Sequence, residues 1–253
     1  MGVLNVTPDS FSDGGRYLDH EAALAHGLRL AAEGAAYVDV GGESTRPGAA
    51  PVSASEEIER IVPVIAALVA AGVAVSVDTR HAAVAERAIE AGASLLNDVS
   101  ASLWEIAAAA AIPWVTMHMQ GDPQTMQADP RYDDVVTEIR GFLVERAQIA
   151  LAAGVPEVWI DPGIGFGKTG AHNLTLLRRL PELVETGLPV LIGTSRKGFL
   201  GALTGGAPED DRLEASLATC VWAAAAGVKM VRVHDVAPSV EAMRIVTEEV
   251  AVS

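Results

Sequence analysis

Residues 71–79 read AGVAVSVDT, and this stretch contains the pattern that decides the fold. A glycine such as Gly72 is typical of the end of a helix. The apolar run 74–77 predicts a buried strand, and Asp78 is a polar residue at the end of that strand. The same order of turn, apolar run, polar residue and Ala-rich helical segment recurs along the chain, which indicates a parallel sheet with alternating helices.

Eight such units fit into the 253 residues. The predicted strands are 2–6, 37–40, 74–77, 94–97, 114–118, 157–160, 189–193 and 230–233. Similar glycine turns lie at positions 34, 72, 92, 154, 187 and 227, and Ser55 predicts the start of the second helix. Eight similar units in a chain of this length predict an α/β fold, a (β/α)₈ TIM barrel forming a single domain over residues 1–253, in preference to an open doubly wound sheet.

Composition and charge exclude several classes of protein. A net charge of −15 argues against binding nucleic acid or an anionic membrane through the general surface, so an anionic substrate would need a local basic pocket. The single cysteine, Cys220, lies in an apolar stretch and is predicted to be a buried thiol. The sequence has no secretory signal pattern and no unbroken span for a bilayer, which predicts a soluble, cytoplasmic protein.

Polar residues follow nearly every predicted strand. They are Asn5, Asp39, Asp78, Asn97, His118, Asp161, Lys197, Arg232 and His234. In a barrel the carboxyl ends of the strands meet at one end, which we call the mouth, so these side chains should be neighbours. Taken alone, Asp39 or His118 is equally well explained as a helix cap or a solvated charge. As a set they predict a site, because charges removed from water are costly unless they are paired or liganded.

The residue types at the mouth suggest a ligand with two chemically different ends. Carboxylates and an amide suit a flat heterocycle with adjacent N–H groups, whereas Lys197, Arg232 and His234 suit an anion. The long connections 7–19, 41–54 and 119–129 lie on the same side of the predicted barrel. Loops in that position commonly contact substrate.

Two nucleotide-binding motifs fail on spacing in GIGFGKT, residues 163–169. A P-loop would need a glycine at Pro162, and a dinucleotide fingerprint would need one at Lys168. The segment is instead predicted to be a tight turn that brings Phe166 to the mouth. Scattered histidines and unpaired cysteine argue against structural zinc, whereas Mg²⁺ needs only one or two protein oxygens beside phosphates, for which Asn5 is a candidate.

Eight ordered motifs resemble those of the dihydropteroate synthase family over essentially the whole chain. They are MGVLNVTPDSFSDGG, DVGGESTRPG, SVDT, LNDVS, MHMQGDPQTMQ, DPGIGFGKT, GTSRKGF and RVHDV. The resemblance implies a (β/α)₈ barrel and the condensation of p-aminobenzoate with 6-hydroxymethyl-7,8-dihydropterin diphosphate. The products would be 7,8-dihydropteroate and inorganic diphosphate, a step of folate biosynthesis.

The resemblance also implies roles for individual residues. The pterin would be bound by Asp78, Asn97, Met117, Asp161, Phe166, Gly193 and Lys197. The diphosphate would be bound by Asn5, Thr45, Arg232 and His234, with Asn5 beside Mg²⁺. The p-aminobenzoate would be bound by Thr45, Arg46, Pro47, Phe166, Lys197 and Gly198, and the catalytic set would be Asp78, Lys197, Arg232 and His234. The loop 9–15 would close over the site.

Loss of diphosphate from a methylene on an electron-rich pterin leaves a stabilised cation, which favours an S_N1-like path. The aniline-type amine is neutral at pH 7 and needs no dedicated general base. Three alternatives stay open: a Schiff base at Lys197, a pterin-binding methyltransferase acting on a corrinoid, and a noncatalytic pterin-binding paralogue.

The sequence departs from the family pattern in three places. Family members commonly have a hairpin before the first barrel strand, so apolar residues at the opposite end of the barrel, the bottom, are expected to be exposed here. The fourth unit is short, which predicts a tight loop and a marginal helix. Gly198 stands where a serine is common in the family, so the affinity for p-aminobenzoate is the property expected to differ here. The resemblance further implies a homodimer, for which the Ala-rich helices 215–226 and 236–246 could supply an apolar patch.

Overall fold

The structure, a computed structural model, describes residues 1–7, 15–43, 51–122 and 125–247, with only the backbone described at 15–19. All eight predicted strands are present, with ends that differ by one or two residues. They are β1 (Gly2–Asn5), β2 (Val38–Gly41), β3 (Val75–Asp78), β4 (Leu95–Asp98), β5 (Trp114–Met117), β6 (Val158–Asp161), β7 (Leu191–Ile192) and β8 (Met230–Val231).

Helices follow every strand in the part of the chain that is described. They are α1 (Gly15–Ala32), α2 (Ala54–Ala70), α3 (Ala82–Glu90), α4 (Trp104–Ala110), α5 (Val135–Ala152), α6 (Gly170–Arg178), α7 (Pro181–Val184), α8 (Gly198–Leu203), α9 (Leu213–Ala225) and α10 (Val236–Thr247). The predicted start of the second helix at Ser55 is wrong by two residues. Ser53 has the extended backbone of an N-cap, and its Oγ accepts the Glu56 N–H at 3.3 Å.

The strands form a closed parallel ring. Strands β1 to β6 pair in sequence order and β7 pairs with β8. Bridges between Ile160 and Val190 and between Gly2 and Val233 join the two sheets on both sides. The Val3 N–H donates to the Val233 carbonyl oxygen at 2.9 Å, which closes the barrel between the first and last strands. The predicted (β/α)₈ architecture is confirmed.

The glycine turns and the short fourth unit also have the predicted form. All six of the predicted turn glycines have a positive φ; at Gly92, with φ +104°, a Cβ would also lie 2.8 Å from Val69 Cγ1. Only glycine satisfies both conditions without strain. Helix α4 has seven residues and ends at Ala110, and its C-cap, Ala111, takes the left-handed conformation at φ 52°. That conformation is strained for a residue with a Cβ, and the marginal stability expected of this helix stays a prediction.

The hydrophobic core has two parts. The larger lies between the strands and the surrounding helices and includes the buried Cys220, as predicted. The smaller part fills the bottom of the barrel: Met1, Leu95, Val115 and Leu191 are buried, and Tyr37, Trp159 and Met230 are partly buried. The last three of these side chains keep some of the exposure expected at the bottom, and Leu151, near the end of α5 that leads to β6, is 44% exposed. None of the described helices is both long and apolar enough to cross a membrane.

Candidate active site

Strand register places several predicted site residues at one level of the mouth. Asn5 pairs with Gly41, Gly41 with Asp78, and Asp78 with Asn97 across four adjacent strands. A Cβ at Gly41 would lie 3.5 Å from Asp78 Cβ and 3.7 Å from Asp78 Oδ2, so the glycine packs directly beside the Asp78 side chain. Farther round the barrel, Met117 pairs with Asp161. The ends of these strands therefore converge as the sequence predicted.

A buried network links Arg232 to the carboxylates and the amide of the mouth. The Arg232 Nε donates to Asp39 Oδ2 at 2.6 Å, and its Nη2 donates to Asp78 Oδ2 at 2.7 Å. The Asn97 amide nitrogen donates to the same Asp39 oxygen at 3.0 Å. Burial raises the pKa of Asp78, although the Arg232 charge opposes this rise. Burial lowers the pKa of Arg232, but Asp39 and Asp78 outweigh it and hold that pKa above its ordinary value.

Lys197 follows β7, the strand next to β8, and lies close to Phe166 and Asp161. Its Nζ donates to the Ile164 carbonyl oxygen and lies 4.6 Å from the centroid of the Phe166 ring, a cation–π distance. Burial lowers the pKa of Lys197 to about 8, with the Asp161 charge opposing. Burial likewise raises the pKa of Asp161, against the effect of Lys197 and of the Gly163 N–H that donates to its carboxylate at 2.7 Å.

Gly193 connects the two cationic sides of the mouth. A Cβ at this position would lie 3.7 Å from Arg232 Cβ and 4.0 Å from Lys197 Nζ. The two cations therefore flank the same glycine, and any larger side chain would enter the space between them. Arg232 and Lys197, which were predicted to bind opposite ends of one ligand, therefore lie close together at the mouth.

The segment 163–169 is a tight turn, held by the close packing of Gly163 against His118 and by the hydrogen bonds of Lys168. A Cβ at Gly163, which has φ +66°, would lie 1.9 Å from the His118 carbonyl oxygen, so only glycine fits. The buried Lys168 donates to the carbonyl oxygens of Phe166 at 2.8 Å and His118 at 3.2 Å, and its Nζ lies 3.1 Å from His118 Nδ1. Burial lowers the pKa of Lys168 to about 7 and that of His118 to about 3. The turn holds Phe166 at the mouth.

The loop after β7 and the end of β8 are joined by side chains. The Ser195 Oγ accepts the backbone N–H of His234 at 3.1 Å and lies 3.0 Å from its Nδ1. Arg196, at φ +59°, forms a two-contact ion pair with Asp235 at 2.5 and 3.0 Å. These contacts fix Lys197 and His234, which are 37 positions apart in the sequence, relative to one another.

Some predicted site residues lie outside the described part of the chain, and others are at the margin of the mouth. Thr45, Arg46 and Pro47 are outside the described residues, as are residues 9–14 of the predicted closing loop. Gly198 is the first residue of α8 and is exposed, and a Cβ there would have no atom within 4 Å. Asn5 ends β1 and is partly buried.

Three side chains away from Asn5 form a group that could hold a metal ion. One ligand atom from each of Glu43, Glu57 and His81 lies within 4.8 Å of the others. Each carboxylate already has a basic partner: Arg80 contacts Glu43 at 2.8 and 2.9 Å, and His81 Nδ1 lies 2.8 Å from Glu57 Oε2. Motif spacing could not reveal this group, because its members come from three separate segments.

Comparison with known proteins identifies the family. A family model described as "Pterin binding enzyme" matches residues 1–234. The chain belongs to the pterin binding enzyme family. Dihydropteroate synthase of Mycobacterium leprae is 50% identical to it, covering 97% of this chain and 91% of that protein.

Solved structures of relatives in this pterin binding family have the same fold. Dihydropteroate synthase of Xanthomonas albilineans with 4-aminobenzoic acid is 49% identical, with a TM-score of 0.90 over 97% of this chain and 90% of that chain. The same enzyme in complex with 7,8-dihydropteroate is matched at 46% identity and a TM-score of 0.87, over 97% and 90% of the two chains.

Sequence reasoning left some contributors to this pterin binding enzyme's mouth undecided or unassigned. Asp39 was recognised as a strand-end residue, but its type alone did not separate a site role from a cap. Lys168 was considered only as part of two nucleotide motifs that failed. Ser195 had no signal beyond its place beside Lys197 in the GTSRKGF motif.

Proposed function

We propose that this chain is a dihydropteroate synthase, which condenses 6-hydroxymethyl-7,8-dihydropterin diphosphate with p-aminobenzoate to give 7,8-dihydropteroate and diphosphate. One observation carries the proposal. Carboxylates suited to a pterin and cations suited to a diphosphate lie together at the mouth, with Arg232 bonded to Asp78 and Lys197 beside Asp161. The relatives named as dihydropteroate synthases support the same reaction.

The pterin would lie between Phe166 and Met117, with its polar edge toward Asp161 and Asn97. A carboxylate can accept two neighbouring N–H groups, and an amide can both donate and accept. Asp78, Lys197 and Gly193 would complete this end of the site. As positive charge develops on the ring, the carboxylates of Asp78 and Asp161 would stabilise it.

The diphosphate would lie against Arg232 and His234, with Asn5 and Thr45 as further ligands. A guanidinium has five N–H donors, of which Asp39 and Asp78 use one each on the Nε and Nη2 edge. The other edge, toward Nη1, is left for phosphate oxygens. Arg232 would therefore bind the leaving group without releasing its two aspartates.

Mg²⁺ fits this end of the site. The Asn5 side chain offers a neutral, hard oxygen at the strand end, and Mg²⁺ is typically held by one or two protein oxygens, substrate phosphates and water. Asn5 would hold the ion, which when bound neutralises charge on the departing diphosphate. The group of Glu43, Glu57 and His81 is not needed for this role, because its carboxylates already have basic partners.

The second substrate would approach over Phe166, Lys197 and Gly198, with Thr45, Arg46 and Pro47 covering it. In an SN1-like path the C–O bond to diphosphate breaks first, the amine nitrogen then bonds to the methylene carbon, and the ammonium so formed loses its proton to the departed diphosphate or to water. Lys197 has no covalent role in this scheme. Its Nζ donates to the Ile164 carbonyl oxygen and lies over the Phe166 ring, contacts that suit a binding ammonium group.

We also propose a homodimer and a cytoplasmic location. Large apolar side chains are exposed on both helices that the sequence suggested for the contact, including Trp222 at 54% and Ile245 at 81%. Helices α9 and α10 pack against each other, and exposed apolar side chains on neighbouring helices can form a subunit contact. The single domain over residues 1–253 stays a prediction.

Diphosphate release, measured by a coupled assay with and without p-aminobenzoate, tests the proposed reaction. The purified chain should release diphosphate and form 7,8-dihydropteroate, identified by its mass, in equal amounts. Arg232→Ala should lower turnover roughly 100-fold or more, the usual cost of removing a group that stabilises a leaving anion. Absence of dihydropteroate with both substrates present would reject the proposal in favour of a noncatalytic pterin-binding role.

A further inference from the structure

One oxygen atom connects the two ends of the mouth. Asp39 Oδ2 accepts both the Arg232 Nε–H at 2.6 Å and the Asn97 amide N–H at 3.0 Å. Asp39 lies within β2, Asn97 lies in β4 and Arg232 directly follows β8, so the three residues are up to 193 positions apart in the sequence. Arg232 belongs to the proposed diphosphate end, and Asn97 belongs to the proposed pterin end.

The position of Asp39 makes it a structural constraint and keeps it away from substrate. Its side chain is fully buried, whereas the Arg232 side chain is 22% exposed. The second carboxylate oxygen, Oδ1, has no hydrogen-bond partner among the described residues. Both of these hydrogen bonds therefore go to Oδ2, and the position of this one atom constrains both donors.

We propose that Asp39 is a positioning residue that holds the Arg232 guanidinium and the Asn97 amide in one fixed arrangement before substrate binds. The inference rests on the proposed function. A substrate that spans both ends gains from such an arrangement, because its pterin and its diphosphate are then bound without reorienting either group. Asp39 itself touches neither part of the substrate.

A positioning role and a purely electrostatic role of Asp39 predict opposite changes in diphosphate affinity when Asp39 is removed. As a negative charge beside Arg232, Asp39 repels an incoming diphosphate, so its removal should strengthen binding if only Coulomb interactions matter. As a positioning residue, its removal should weaken binding, because Arg232 then keeps only its bond to Asp78 and can turn away. The sign of the effect separates the two roles.

Two substitutions separate the shape of Asp39 from its charge. Asp39→Asn retains an oxygen that can accept from both Arg232 and Asn97, and its new NH₂ group would replace Oδ1, which has no partner to lose. Asp39→Ala removes the shared acceptor together with the charge. Asp39→Ser serves if the alanine variant does not fold, since its hydroxyl is too short to reach both donors.

Asp98 provides a matched control. It is also a fully buried aspartate at a strand end, but it accepts from the backbone N–H groups of Ser100, Ser102 and Leu103 and from the Trp114 indole. Asp98→Asn should lower the melting temperature without changing how the mouth binds its ligands. Any effect shared by the Asp39 and Asp98 variants would reflect general stability.

The experiment measures the Kd of inorganic diphosphate by calorimetry and the kcat/KM for the pterin substrate in each folded variant. We expect Asp39→Asn to bind diphosphate at least as tightly as the original protein and to keep kcat/KM within about 10-fold. Asp39→Ala should bind diphosphate about 10-fold more weakly and lose roughly 100-fold in kcat/KM, as small misplacements of a binding group do. Rescue by the asparagine variant is a result that a general loss of packing would not give.

Other outcomes overturn the inference. Tighter diphosphate binding by both Asp39 variants would assign Asp39 a purely electrostatic role. Equal weakening by both would show that binding depends on the charge of Asp39 and not on the oxygen that Arg232 and Asn97 share. A weakening of diphosphate binding in Asp98→Asn as large as that in Asp39→Ala would also reject it. If the unmodified chain forms no dihydropteroate, the proposed function fails, but the diphosphate Kd values still test whether Asp39 positions Arg232.

Discussion

The buried Lys168 should make the stability of the protein depend on pH in a measurable way. Its amine is 2% exposed, and burial lowers its pKa from 10.5 to about 7 in the folded state. Between pH 7 and pH 10.5 the unfolded chain therefore binds more protons than the folded chain. The free energy of unfolding rises with pH when the unfolded state binds more protons, so the folded protein gains stability across this window. Below pH 7 the destabilisation caused by burying the Lys168 amine no longer changes with pH.

The size of this effect follows from the two pKa values. Raising the pH from 7 to 9 should add about 2 kcal/mol to the free energy of unfolding through Lys168 alone. Lys168→Met removes this contribution and also removes the bonds to the carbonyl oxygens of Phe166 and His118. The lost bonds lower stability at every pH, so the change in slope reports the titration separately.

Urea unfolding at several pH values between 7 and 9 measures this slope. The difference in unfolding free energy between the original protein and Lys168→Met should grow by about 2 kcal/mol over the range. Lys197 is present in both proteins, so its contribution largely cancels. Lys229→Met is the matched control, because Lys229 is exposed and its amine stays in water. Parallel curves for the original and Lys168→Met would refute the reasoning and show that carbonyl acceptors keep Lys168 charged.

Two further substitutions test the turn and the p-aminobenzoate end. Gly163→Ala should destabilise the protein by about 2 kcal/mol or more in urea unfolding, because its Cβ would lie 1.9 Å from the His118 carbonyl oxygen at a positive φ; an unchanged midpoint would contradict the geometry of the turn. Gly198→Ser should change the unfolding free energy by no more than about 0.5 kcal/mol, since a Cβ there meets open space. Its KM for p-aminobenzoate should fall while the KM for the pterin substrate stays the same, and a rise in the first value would count against Gly198 lying at that end.

The strand ends could be predicted because the same local signals recur in each unit. A glycine turn, a short apolar run and a terminal polar residue define β3 as clearly as β4 or β6, and the mouth follows from the closure of parallel strands. The start of α2 was misplaced because serines at 53 and 55 both satisfy the composition of a cap. Only the backbone conformation decides between them.

Contacts between distant segments could not be read from the sequence. Asp39, Asn97 and Arg232 are each recognisable as strand-end polar residues, but their sharing of one oxygen depends on the relative heights of three strands. Lys168 gave a misleading signal, since its flanking glycines resemble a phosphate-binding loop while the structure directs its amine at carbonyl oxygens. Residue type predicted the site, and the tertiary structure decides the partners.

The most direct test of the central claim, that one cavity receives both ends of the substrate, is a crystal structure with 6-hydroxymethylpterin diphosphate bound. We expect a single molecule whose pterin N–H groups lie within about 3.2 Å of the Asp161 carboxylate and whose phosphate oxygens lie within about 3.2 Å of Arg232. A molecule that contacts only one of these two residues, or that binds away from the mouth, would contradict the account.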